Sequence, residues 1–187
     1  MKIKLIVGLG NPDKTYENTY RNAGILMLEY LAKKIEKSGR HDLPPAQKNG
    51  YAEYFKLKNL VLARSLSYMN ESGKVAAGLL RFFKMQPEQA LIMHDDSDLA
   101  IGKYKLSFGR GTAGHHGAES VAKAIGSKDF WRLRIGIRDV ESDEKLGRKK
   151  AAEFVLKKIS AAHKKALYCV FEEACGEIEK LIEKDVF

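Results

Sequence analysis

Six short runs rich in β-branched and aliphatic residues are interleaved with segments of helical period: Ile3 to Leu9, Tyr51 to Leu57, Leu60 to Leu66, Ala90 to His94, Lys103 to Phe108 and Trp131 to Ile137. Their length and side-chain chemistry predict strands. Between them, Ile25, Leu28, Leu31 and Ile35 fall on one helix face, as do Val75, Leu79 and Phe82 or Phe83, and Ser160 to Lys184 reads as one long amphipathic helix. A chain that alternates the two periods has to cover a sheet with helices. The expected fold is therefore α/β, a single domain over residues 1–187 built as a sandwich with a mixed, partly parallel twisted sheet flanked by helices. Lys37 to Gly50, with Gly39, Pro44 and Pro45, is expected as a surface loop, and Arg138 to Lys150 as a charged, mobile connection.

A chain of 187 residues with 44% hydrophobic and 30% charged residues has enough apolar material for one sizeable core. Its 33 Lys and Arg against 24 Asp and Glu leave a formal charge of +9, which favours an anionic partner such as nucleic acid. Cys169 and Cys175 lie six residues apart on the last predicted helix, point to different faces and cannot readily pair, so a reducing, cytoplasmic setting is expected. The chain is also expected to be a monomer. The opening MKIKLIVGLGNP has too short an apolar run for a signal peptide, and no stretch approaches the length of a membrane span.

The densest chemistry lies in the run GRGTAGHHG from Gly109 to Gly117. Its glycines let the backbone come close to a polyanion or a reacting centre, and His115 and His116 titrate near neutral pH. The first strand ends in Gly8, Leu9, Gly10, Asn11 and Pro12. This is not a dinucleotide loop, because Asp13 stands where the third glycine would be. Asn11, beyond a strand end, either hydrogen bonds a substrate or shapes a turn. Asn70, in the run YMNESGK, either orients a carbonyl or water or caps a helix.

The run HDDSDL supplies Asp95, read as the orienting partner of an imidazole or as a solvated turn carboxylate; strand alternation turns His94 away from it, into a structural role. No second acidic cluster stands at ligand spacing, so no metal is expected. Lys103 with Lys105, and Arg132 with Arg134, alternate on their strands and form two sets of candidate phosphate donors around the glycine loop.

In order and approximate spacing, VGLGNP, TYRNAG, YMNESGK, HDDSDL, GTAGHHG and WRLRIGI resemble the motifs of the bacterial peptidyl-tRNA hydrolase family, from Met1 to about Leu156. The resemblance implies hydrolysis of the ester between a peptide and the terminal ribose of tRNA, without metal or cofactor, with tRNA and peptidyl-tRNA as partners. It places Asn11, Tyr16, Met69, Asn70 and Asp95 along the active-site cleft, and Lys105 and Arg134 on tRNA phosphate.

The chain departs from the family's pattern at three places. Arg21 stands where the family has a general-base histidine, and a guanidinium stays protonated and cannot take a proton from water. His116 stands where the family has asparagine, after His115. Counted back from His115 without gaps, the second basic position of the phosphate-holding strand falls on Ser107, with Lys103 left unmatched. The expectation is an ester hydrolase in which His116 supplies the base or orients water, Asp95 is its partner, Arg21 stabilises negative charge, and Asn11 and Asn70 complete the catalytic set. Tyr16, Met69, His115, Lys105 and Arg134 are then substrate contacts. The alternative is a non-catalytic tRNA- or RNA-binding protein that kept the binding surface.

Overall fold

A computed structural model of the chain describes residues 2–39, 42–140, 143 and 154–183. Among these, the strands are β1 (Leu5–Gly8), β2 (Gln47–Asn49), β3 (Ala52–Lys56), β4 (Val61–Ser65), β5 (Ala90–Ala100), β6 (Tyr104–Phe108) and β7 (Trp131–Arg138). The α-helices are α1 (Ala23–Lys37), α2 (Ser72–Phe82), α3 (His116–Ile125) and α4 (Ala161–Leu181). All seven strands join one sheet in the order β2-β3-β4-β1-β5-β7-β6. β4, β1, β5 and β7 run parallel, and β2, β3 and β6 are antiparallel additions at the two edges. This is the expected mixed sandwich.

The parallel centre is apolar on both faces because helices cover both. Ile6, Leu62, Met93, Leu133 and Ile135 pack against Met27, Leu31 and Ile35 of α1 and Leu167, Phe171 and Ile178 of α4. Leu5, Val7, Ala63 and Ile92 pack against Val75 and Leu79 of α2 and Val121 of α3 on the opposite face. Phe83 joins that second cluster, whereas Phe82 stays 57% exposed, which resolves the choice left open by the helical period.

Two close approaches fix the layers. A Cβ at Gly24 would meet the Met93 carbonyl oxygen at 2.2 Å and that of Leu9 at 2.7 Å, so only glycine lets the first turn of α1 rest on β1 and β5. A Cβ at Gly73 would meet the Ser120 carbonyl oxygen at 2.2 Å, which locks α2 to α3 at similarly close range.

The structure corrects three expectations. The supposed loop from Lys37 to Gly50 contains β2, whose exposed Gln47 and Lys48 pair with Tyr54 and Glu53 at the sheet edge. β5 does not stop at His94 but continues to Ala100, with an irregularity after Asp96, so the acidic run is strand and not turn. Arg132 is not a surface phosphate donor: it is 1% exposed, with its guanidinium under the glycine loop. α3 and that loop cover its face of β7, which alternation alone could not tell. Most of the stretch from Arg138 to Lys150, and Lys184, lie outside the described residues. Cys169 is exposed and Cys175 buried on α4, both unpaired. No described helix is long and apolar enough to cross a membrane.

Candidate active site

The carboxyl ends of β1 and β5, the segment before α1, and the glycine loop converge on Asp95. Because Gly24 seats α1 on the sheet, the short 3-10 turn Tyr20–Asn22 just before it is pressed against β5. Arg21 Nη1 donates to Asp95 Oδ2 at 3.1 Å. Asn22 turns the other way and clamps Asn11: its Oδ1 accepts from the Asn11 N–H at 2.8 Å and its Nδ2 donates to the Asn11 carbonyl at 3.1 Å. The Asn11 Oδ1 accepts in turn from the Met69 N–H at 3.0 Å, so its orientation is set and its Nδ2 bonds to no described residue. Asn22 is the positioning residue that the motif reading passed over. An amide at a helix start, two residues ahead of a glycine, is the signal that could have found it.

His115 is the N-cap of α3. Its Nδ1 accepts from the Ala118 N–H at 3.1 Å, and this fixes the proton on Nε2, which donates to Asp95 Oδ1 at 3.0 Å. Asp95, 2% exposed, therefore holds two donors on its two oxygens. Burial alone would raise its carboxyl pKa, but the His115 imidazole and then the Arg21 guanidinium outweigh burial and hold it below the ordinary value. His94 lies beneath, its ring stacked on His115 with centroids 4.2 Å apart and its Nδ1 donating to the Asp95 carbonyl at 2.7 Å. Its position is structural, as alternation implied. Burial first, then the neighbouring His115, pushes its pKa well below 6.5, so it stays neutral.

The partner of Asp95 is thus His115 and not His116, a correction set by cap geometry: the residue before the first helical turn faces back towards β5. His116, the first residue of α3, is exposed and hydrogen bonds to no described residue. Both histidines line a pocket of about 130 Å³ with Arg21, Asp95, Asp96, Ser97, Ala113, Gly114 and Val155. The other expected residues do not line this pocket. Met69 is buried with its thioether in the space a Cβ of Gly117 would need, Asn70 is exposed in the 3-10 turn Met69–Glu71 just ahead of α2, and Tyr16 is half-buried at the end of the turn Lys14–Tyr16. Tyr68, 47% exposed, donates to Asp13 at 2.6 Å beside them. Lys105 and Arg134 face each other across β6 and β7, and Arg134 Nε donates to Asp96 at 2.5 Å. Among the described residues no cluster of His, Cys, Asp and Glu is placed to hold a metal ion.

A carboxylate holding an arginine and an imidazole, next to a second and unbonded imidazole, is suited to general acid-base chemistry on a polar substrate. The family model described as peptidyl-tRNA hydrolase matches residues 5–187. Relatives named peptidyl-tRNA hydrolase include one from Nocardia farcinica, 37% identical over 185 residues that cover 95% of this chain and 89% of the relative. Another, from Aquifex aeolicus, is 36% identical and covers 98% and 92% of the two chains. The crystal structure of peptidyl-tRNA hydrolase from Acinetobacter baumannii superposes with a TM-score of 0.79 at 30% identity, covering 98% of this chain and 90% of that one. A family model that matches nearly the whole chain, with relatives more than 30% identical over most of both lengths, shows that the chain belongs to the peptidyl-tRNA hydrolase family.

Proposed function

We propose that the protein hydrolyses the ester joining a peptide to the terminal ribose of tRNA, with His116 as the base that activates water. The observation that supports this assignment of the base is the bonding of the other candidates. Arg21 cannot accept a proton, both oxygens of Asp95 are engaged, and both nitrogens of His115 are committed to Asp95 and to the Ala118 N–H. His116 is the imidazole of this pocket that retains a lone pair.

In this mechanism His116 takes a proton from water as the water oxygen bonds to the ester carbonyl carbon. Asn11 Nδ2 and Arg21 stabilise the oxyanion that develops, and Asn70 orients the water or carbonyl. The bond from carbon to ribose oxygen then breaks, and His116 returns the proton to that oxygen. Asp95 holds Arg21 and His115 in place throughout. Lys105 and Arg134 hold phosphate, and Tyr16 and Met69 flank the substrate.

Purified protein incubated with peptidyl-tRNA is expected to release deacylated tRNA. His116→Ala should lose about 10²-fold or more in turnover with nearly native tRNA affinity. Arg21→His combined with His116→Asn should restore turnover by rebuilding the family's arrangement. Native protein that binds tRNA without releasing product would reject hydrolysis and leave a binding role; full turnover in His116→Ala would move the base elsewhere.

A further inference from the structure

The 3-10 turn Tyr20–Asn22 sends its consecutive side chains to separate parts of the fold. Arg21 reaches Asp95 on β5, and Asn22 reaches Asn11 beyond β1; both bonds belong to the site already described. Tyr20 instead reaches α4, where its hydroxyl donates to His163 Nδ1 at 2.5 Å. With Nδ1 accepting, a neutral His163 carries its proton on Nε2, which stands 3.8 Å from Asp139 Oδ2 just past the end of β7. His163 is also held through its main chain: its N–H donates at 3.2 Å to the hydroxyl of Ser160, the N-cap of α4. Tyr20 is 3% exposed, and its ring stacks on Phe154 with centroids 4.5 Å apart.

A line of backbone bonds ties the same turn to the segment that leads into α4. The Arg21 N–H donates to the Val155 carbonyl at 2.8 Å, the Tyr20 N–H to the Lys157 carbonyl at 3.2 Å, and the Ile159 N–H to the Asn18 carbonyl at 2.9 Å. Bonds strung along one edge act as a hinge, and a bond away from that edge is needed to stop the turn from rolling. The ion pair of Arg21 with Asp95 is poorly suited to this, because its long stem can adjust to several positions of the main chain. The tyrosine ring is rigid, is packed on Phe154, and carries its hydroxyl bond a full side chain away from the backbone line. Any roll of the turn is magnified at the guanidinium, where Nη1 already stands 3.1 Å from Asp95 Oδ2 and 3.5 Å from Oδ1, the outer limit of a hydrogen bond. Arg21 and Val155, which the backbone line joins, both line the pocket; Tyr20 and His163 do not.

We propose that Tyr20 and His163 are positioning residues for Arg21: the bond between them holds the turn so that the guanidinium stays against Asp95 and faces the developing oxyanion. This rests on the role given to Arg21 in the proposed hydrolysis. It makes the first turn of α4 part of the machinery that sets the site, although α4 contributes no side chain to the pocket.

Tyr20→Phe removes one oxygen and leaves the ring on Phe154. With peptidyl-tRNA as substrate, at a temperature where every variant is folded, its kcat is expected to fall about five- to ten-fold with KM changed less than about two-fold. His163→Leu should show the same loss, and His163→Asn, whose side-chain oxygen can accept where Nδ1 did, should recover most of it. Tyr20→Phe combined with His163→Leu should be no worse than either alone, because one bond is lost in all three. Should Tyr20→Phe not fold, His163→Leu, at a side chain 25% exposed, carries the comparison with His163→Asn. A readout independent of turnover is the Nε–H resonance of Arg21, identified by nuclear magnetic resonance through its loss in Arg21→Lys; it is expected to shift in Tyr20→Phe and in His163→Leu and to stay near its native place in His163→Asn. Native kcat in Tyr20→Phe, or losses that multiply in the double variant, overturns the positioning role. Native protein that releases no product rejects the hydrolysis itself, and the Arg21 resonance then decides alone whether Tyr20 holds the guanidinium: a signal unmoved in Tyr20→Phe overturns it.

Discussion

His115 and His116 are adjacent, yet one is spent on structure and the other stands at the pocket with no hydrogen bond to a described residue. The cap decides this: the Ala118 N–H claims one nitrogen of His115 and Asp95 the other. In Asp95→Asn an amide nitrogen must face either Arg21 or the His115 Nε2–H, donor against donor, so the arrangement around the pocket loosens. Turnover is expected to fall about 10²-fold with KM changed only a few-fold, because the charge matters most as the transition state forms. A variant with native kcat would remove Asp95 from the reaction. His94 makes the second prediction at this scale. Burial first, then the neighbouring His115 and the charge of Arg132, hold it neutral with its pKa well below 6.5 against the opposing pull of Asp95, whereas the unfolded chain takes up a proton at 6.5. Stability then falls as pH drops below about 6.5, by at most about 1.4 kcal/mol per pH unit, until the folded pKa is reached. Denaturant unfolding of native protein and His94→Leu at two pH values on either side of that window should show the smaller loss in the variant. An equal loss in both would mean that other groups carry the dependence.

At the scale of elements, α2 carries two glycines in opposite surroundings. Gly73 meets the Ser120 backbone, whereas a Cβ at Gly78 has nothing within 4 Å. Gly73→Ala is expected to destabilise by about 1–3 kcal/mol through overpacking between α2 and α3. Gly78→Ala should stabilise by up to about 1 kcal/mol, since alanine costs less entropy in a helix. Thermal unfolding of the two variants checks the opposite signs, and a stabilised Gly73→Ala would mean that the helices separate at little cost. The same elements show what a sequence can disclose. All six expected runs became strands: those at β1, β4, β5 and β7 because burial on both faces demands continuous apolar side chains, and those at β3 and β6, which are less buried, through their β-forming residues. β2 escaped notice because an exposed edge strand of Gln, Lys and Asn has no apolar face to betray it. The outer half of β5 escaped because its Asp residues are partnered by groups far along the chain, Arg21, His115 and Arg134, which no local pattern reveals.

For the whole molecule, the charge of +9 predicted an anionic partner, but only the fold says which cations are available to it. Alternation placed Arg132 and Arg134 on one face of β7 and could not foresee that Arg132 would be buried and Arg134 paired with Asp96. Lys105 faces Arg134 from the edge strand and is exposed. These three basic residues therefore differ in what they bring to a tRNA. Each fully available cation that meets a phosphate adds about 0.7 to 0.9 to the slope of log affinity against log salt, through counterion release. Lys105→Ala is expected to lower that slope by this full amount. Arg134→Ala should lower it by less, because Asp96 already neutralises the guanidinium and must yield it before phosphate gains it. Binding of deacylated tRNA over a salt series reads both slopes, and an unchanged slope in Lys105→Ala would take the edge of the sheet out of the tRNA interface.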